Sequence, residues 1–399
     1  MSASTHNAMQ SDLEQRIRTG GFSLIELMIS MALGLMLTLG MISVFSGNQR
    51  STNLNAAITS LQENARFAID SISRDVRMAG FQGCAPISGG SIKVLANDVP
   101  ITDTVQGLRS TALWGSRINS ATDWSPLPPW GTGSNGFKVP SVNAGIAGTY
   151  ALALQFGDPK TYELNEVVGG VATPNPSGDI ILKDDASVDA AALNVGDLAL
   201  ISDCLGGDMF RVTGVVPGTD ILTIKHGAGA SNNITGTLST QYGSNDQLLR
   251  QTMVTRFNSR VYYVGDTGET DENGNTVTAL YQQEPPFDNT NPAVEIVQGV
   301  EQFAVSFEVT DNLGRRTTVL AGDSAFDPSN VTAVRIGLLM ASEEAIAEQD
   351  DNKIYSLAGI EVPPVSSAIA GQPSHAGDRR FRVAFNTTIK VRNFRDDES

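Results

Sequence analysis

Apolar positions along this chain fall into three regimes. Residues 22–45 read FSLIELMISMALGLMLTLGMISVF, 24 residues with a single charge, Glu26. As a helix rising ~1.5 Å per residue, the run is roughly 36 Å long, enough to cross a hydrocarbon core of about 30 Å. Leu54, Ile58, Leu61, Ala65, Ala68, Ile69, Ile72, Val76 and Ala79 then recur at spacings that predict an amphipathic continuation of the helix. Gln62, Glu63, Arg66, Asp70, Arg74, Asp75 and Arg77 read as its solvent side. There Glu63 with Arg66, and Asp70 with Arg74, are spaced for ion pairs. Gly80 and Gly83 supply a stop.

Beyond residue 84 the pattern changes to short apolar stretches between polar turns. Candidate strands cover 92–95, 151–156, 180–182, 198–201, 210–215, 221–224, 261–264, 277–281, 302–309, 334–340 and 381–391. Asp271-Glu272-Asn273-Gly274-Asn275 reads as a hairpin turn. Phe303, Val305, Phe307 and Val309 alternate with other residues, which predicts a sheet with one covered face. Helical residues 54–79 are the obvious cover. The expected fold is therefore α+β: one long N-terminal helix on an antiparallel sheet, enlarged into a β-rich head with room for a second subdomain.

Ahead of the apolar run lie Arg16, Arg18 and the pair Gly20-Gly21. Positive charge on this flank keeps it cytoplasmic and sends the rest of the chain across the membrane. A secretory signal would place small residues after the apolar run, whereas the glycine pair stands before it. Cleavage there removes a charged leader and keeps the anchor. Gly21-Phe22-Ser23-Leu24-Ile25-Glu26-Leu27 resembles the processing signal of type IV prepilins and type II secretion pseudopilins. That resemblance implies a cut between Gly21 and Phe22 by a prepilin peptidase, N-methylation of Phe22, and Glu26 as the fifth mature residue. A carboxylate in hydrocarbon needs a partner, and the resemblance assigns it the freed amine of a neighbouring subunit during assembly.

Two further stretches narrow the likeness. Glu63-Asn64-Ala65-Arg66-Phe67-Ala68 and Ser73-Arg74-Asp75-Val76-Arg77-Met78-Ala79-Gly80-Phe81, followed by Gly83-Cys84, resemble the helix end of PilW-type minor pilins. Val195-Gly196-Asp197-Leu198, Asp203-Cys204, Val300-Glu301-Gln302-Phe303 and Arg379-Arg380-Phe381-Arg382 are similar to the middle and end of that family. The resemblance implies a leader at 1–21, a membrane-spanning half-helix at 22–45, an amphipathic half at 46–83 and an exported head at 84–399. It also implies a minor pilin that primes pilus assembly and sits in the tip complex. Its partners would be the prepilin peptidase, the inner membrane, and other minor and major pilins. The alternatives are a minor pseudopilin of type II secretion and an adhesive module carried by the pilus.

Charge bears on partners. Against 27 Lys+Arg stand 43 Asp+Glu, a formal net charge of -16, which disfavours nucleic-acid binding. Only Cys84 and Cys204 occur, both past the anchor, so export to an oxidising compartment favours one disulfide between them over two buried thiols. His226 and His375 stand apart from any cysteine cluster, and residues 265–275 lack the spacing of a calcium loop, so no metal or cofactor is expected. Neither a nucleophile elbow nor a phosphate loop occurs, so no enzyme is expected. Trp114, Trp124 and Trp130 are either an exposed contact patch, as an adhesive module requires, or core anchors.

Overall fold

The computed structural model describes residues 23–85, 92–97, 111–130, 137–165, 175–183, 193–243, 251–271, 274–285, 287, 291–310, 313–323, 326–369 and 371–393. The expected leader, with Gly21 and Phe22, lies outside them. One unbroken helix, α1 (Leu24–Met78), runs for 55 residues. The chain divides into two compact units, residues 1–56 and 57–399.

In the first unit every described residue, 23–56, is exposed. In the second, Leu61, Ala65, Ala68, Ile72 and Val76 of α1 are buried, while Leu54 and Ile58 of the predicted stripe are not. The stripe thus becomes a core face only from Leu61 onward. The helix stops where the sequence says: Phe81 donates its N–H to Met78 O at 2.8 Å. Gly80 takes the left-handed φ of 76° that a side-chain-bearing residue resists.

The head is built from two main sheets. The larger runs in the order β1 (Ile92–Val94), β7 (Gly207–Arg211), β6 (Leu198–Ser202), β10 (Met253–Thr270), β4 (Tyr150–Glu163), β2 (Leu113–Ser120) and β3 (Asp123–Ser125). The long β10 pairs with β6 through its first residues and with β11 (Thr276–Gln283) through its last, so one strand carries two neighbours on that side. β11 in turn pairs with β12 (Val294–Gln298). Only the β1–β7 pairing is parallel. The expected turn closes the β10–β11 hairpin, with Asn275 N–H donating to Asp271 Oδ1 at 2.8 Å.

The second sheet is antiparallel, in the order β14 (Arg316–Leu320), β13 (Val300–Thr310), β15 (Val331–Ala341) and β18 (Arg382–Lys390). Two smaller pieces complete the head: a three-stranded sheet of β5 (Ile180–Lys183), β9 (Ile221–Lys225) and β8 (Gly214–Pro217), and a hairpin of β16 (Tyr355–Leu357) and β17 (Ile360–Val362).

The main core joins the buried face of α1 to residues of both large sheets, among them Leu152, Phe156, Tyr262, Phe303, Val305 and Phe307. The one-face expectation for residues 302–309 is incomplete. Gln302, Ala304 and Ser306 are buried as well. Ser306 Oγ donates to Ala358 O at 2.8 Å, and Gln302 Nε2 donates to Ser374 O at 2.6 Å. The β16–β17 hairpin and the segment after it therefore cover the second face. They approach so closely that a Cβ on Gly337 would lie 2.7 Å from Leu357 Cβ.

A buried ionic cluster holds that cover down. The Arg382 side chain is fully buried and donates to Glu301 at 2.6 Å and to Asp378 at 2.5 Å. Arg380 Nε adds a second donor to Asp378 at 2.9 Å. Burial disfavours the Arg382 cation, but Glu301 and Asp378 outweigh it and raise its pKa. Burial likewise works against the Asp378 anion, and Arg382 with Arg380 reverses that, holding its pKa below the ordinary carboxylate value.

Candidate functional site

The functional element is α1, and its two parts do different things. Glu26 lies in the first turn and is exposed. The helix opens with Glu26 and Leu27 N–H donating to Ser23 O at 3.0 and 3.1 Å. A carboxylate in a first turn meets the positive end of the helix dipole. From there to Phe45 the side chains are apolar and unburied, with a mean hydropathy of 2.1 in the most apolar window. Ser30 and Thr38 turn their hydroxyls back to Glu26 O and Gly34 O, each at 2.7 Å, so neither presents a free donor to lipid. Gly34 and Gly40 have nothing within 4 Å of a virtual Cβ, leaving room for another helix to approach. Such a surface is stable only against lipid or other apolar helices.

Within the head, α1 is locked by a buried polar network. Asp75, expected on the solvent side, is instead 4% exposed. It accepts from Arg260 at 2.8 and 3.0 Å and from Tyr262 Oη at 2.6 Å. Arg260 also reaches Glu284 at 2.7 Å. Burial disfavours the Arg260 cation, but Asp75 and Glu284 overcome this and raise its pKa. Burial, reinforced by Asp75, pushes the Tyr262 phenol up, so it stays a neutral donor. The signal was present in the sequence: Asp75 sits three residues after Ile72 and beside Val76, on the apolar face.

Two further ties act where the helix ends. Cys84 and Cys204 form a disulfide with Cα atoms 4.7 Å apart, bridging the helix exit to the turn after β6. Asn393 Nδ2 donates to the carbonyls of Arg77, Met78 and Ala79 at 3.2, 3.3 and 3.2 Å, serving helix-end acceptors that have no partner within the helix. Nothing local in the sequence links Asn393 to this helix.

Other candidates resolve as structure. Trp124 and Trp130 are buried at 3% and 0%, and Trp114 is half-buried against Phe326, so the exposed aromatic patch that an adhesive module requires is not formed by these residues. His226 and His375 are buried and bonded to the carbonyls of Gly178 and Lys353. Among the described residues no group of three or more His, Cys, Asp or Glu is placed to hold a metal. The expected pairs Glu63–Arg66 and Asp70–Arg74 do not form; all four side chains are exposed.

Two family models match the chain. One, described as type IV pilus-assembly protein W, covers residues 261–393, from the second half of β10 to Asn393. The other, described as the prokaryotic N-terminal methylation motif, covers residues 16–42. No curated protein and no solved structure matches. The first region carries Tyr262, Glu284 and Asn393, which receive α1; the second carries the glycine pair, Glu26 and most of the apolar run.

Proposed function

Because the chain is a PilW-type, type IV pilin-like protein and a minor pilin of the pilus, we propose that it works as a membrane-drawn subunit of the filament. Prepilin peptidase cuts after Gly21 and Phe22 becomes the N-methylated terminus. Until assembly the apolar helix holds the chain in the inner membrane, with its head in the periplasm. On assembly the apolar surface exchanges lipid for the helices of other pilins. The chain primes polymerisation and stands in the tip complex, a placement supported by its likeness to PilW. The matched families describe pilus components rather than enzymes.

The observation that carries this reading is the division of labour along one helix. Its first part is unburied and apolar, and its last part is fixed into the head by Asp75 and the buried face. Such a rod transmits a pull on its membrane segment directly to the head, with no flexible joint to absorb it. Mass spectrometry of the membrane form tests the first step: a methylated terminus at Phe22 is expected, and a chain retaining residues 1–21 defeats the proposal. Loss of surface pili on deletion of the gene, restored by the intact chain, tests the assembly role.

A further inference from the structure

One surface of α1 is used neither by the head nor by the apolar segment. Within residues 57–78, and at about 100° per residue, Glu63, Phe67, Asp70, Arg74 and Arg77 fall on one stripe diametrically opposite Leu61, Ala68 and Ile72. All five are exposed, Phe67 at 60% although it is a large aromatic. None of the four charged groups has an ion-pair partner among the described residues. Charge along the stripe is ordered, acids toward the start and bases toward the end. The helix dipole accounts for the two arginines, which lie near the end at Met78, but not for the acids, which lie far from the start at Leu24. Solubility alone accounts for charge but not for an exposed phenylalanine among it.

We propose that this stripe docks the first helix of a different pilin subunit, lying parallel, with bases beside Glu63 and Asp70, acids beside Arg74 and Arg77, and an apolar side chain on Phe67. This rests on the minor-pilin reading, which starts both helices in one membrane and so makes them parallel. A second copy of this chain in register sets Glu63 on Glu63, Asp70 on Asp70, and each arginine on its twin. Like charges facing one another are rejected, while a helix of opposite order is accepted, the logic by which flanking charges choose coiled-coil partners. Phe67 gives the contact its buried anchor. The stripe therefore encodes heterotypic assembly.

The test needs only the full-length chain in membranes and a photo-crosslinking phenylalanine analogue at position 67. Two tagged forms are made, one unchanged and one carrying Glu63→Arg, Asp70→Arg, Arg74→Glu and Arg77→Glu. These four positions are exposed, and Cys84–Cys204 disulfide formation checks that each form has folded. Like-with-like mixtures are expected to cross-link poorly, and the mixed pair about ten-fold better, since four attractive pairs replace four repulsive ones. High salt should erase the difference. In assembled pili, the same probe in the unchanged chain should map to the first helix of another pilin. Equal yields in all pairings, strongest yield between identical copies, or adducts on a partner's head overturn the proposal. Whether the unchanged chain is present in pili is scored separately: its absence sinks the minor-pilin reading, whereas its presence with equal yields sinks the stripe alone.

Discussion

Asp75 and Arg260, 185 residues apart in sequence, meet at 2.8 Å and fasten the helix to the central strand of the larger sheet. The aspartate is almost wholly buried, whereas a quarter of the arginine side chain is exposed. Removing one member of such a pair leaves the other desolvated without its counter-charge, and that penalty exceeds the net worth of the pair. Asp75→Ala should therefore cost about 2–3 kcal/mol, less than a fully buried pair because water and Glu284 still reach Arg260. Chemical denaturation of the full chain in detergent measures it. An effect below about 0.5 kcal/mol would show that the apolar face alone holds the helix.

The helix, its stop, the β10–β11 turn and most strand centres were legible because they rest on local periodicity and turn chemistry. What escaped depends on distant partners. Alternation at Phe303, Val305 and Phe307 reported one buried face; the other is made of Gln302, Ala304 and Ser306, small or polar residues whose burial rests on Ala358 and Ser374. β14 was missed because its residues are almost all exposed and carry no apolar alternation. Asp75 was assigned by its charge rather than its helical phase. At the candidate site, Glu26 and the cysteines could be read directly, whereas Asn393 serves carbonyls 314 to 316 residues away and leaves no local trace.

The disulfide closes a separation of 120 residues. In the chain-entropy account, a loop of that length stabilises the fold by about 4–5 kcal/mol, through the unfolded state rather than through native contacts. Cys84→Ser with Cys204→Ser should lower the denaturation midpoint accordingly. The intact chain should show the same loss when reduced. Peptide mapping without reductant must recover Cys84 joined to Cys204; free thiols in the exported protein would contradict the bridge.

Acid should loosen the cover over the second sheet. Asp378 has a folded-state pKa below its ordinary 3.8, because Arg382 and Arg380 stabilise the anion beyond its desolvation. A carboxylate whose pKa is depressed by folding contributes stability that is present above the unfolded value and lost as pH falls through the folded one. Between about pH 5 and pH 3 the unchanged protein should thus lose more stability than Asp378→Asn, which starts weaker but has no such group to protonate. Denaturant midpoints at the two pH values decide this. Parallel losses would mean that other carboxylates govern the acid limb.

Glu26 offers the sharpest separation between insertion and assembly. Membrane insertion draws on the whole apolar run, and replacing one carboxylate by a methyl group makes that run more apolar, so Glu26→Ala should insert fully. Assembly is different. In hydrocarbon the charge is tolerated only with a partner, and the freed amine of a neighbouring Phe22 is the cation that processing creates. Loss of that pair should lower incorporation into pili at least about ten-fold, the equivalent of about 1.4 kcal/mol, while membrane levels stay unchanged. Glu26→Gln keeps the size and hydrogen-bonding capacity but not the charge, so it should fail like the alanine variant if attraction to the amine matters. Quantitative blotting of membrane and sheared-pilus fractions gives both readouts from one culture. Normal incorporation of both variants would show that the carboxylate is merely accommodated at the membrane surface.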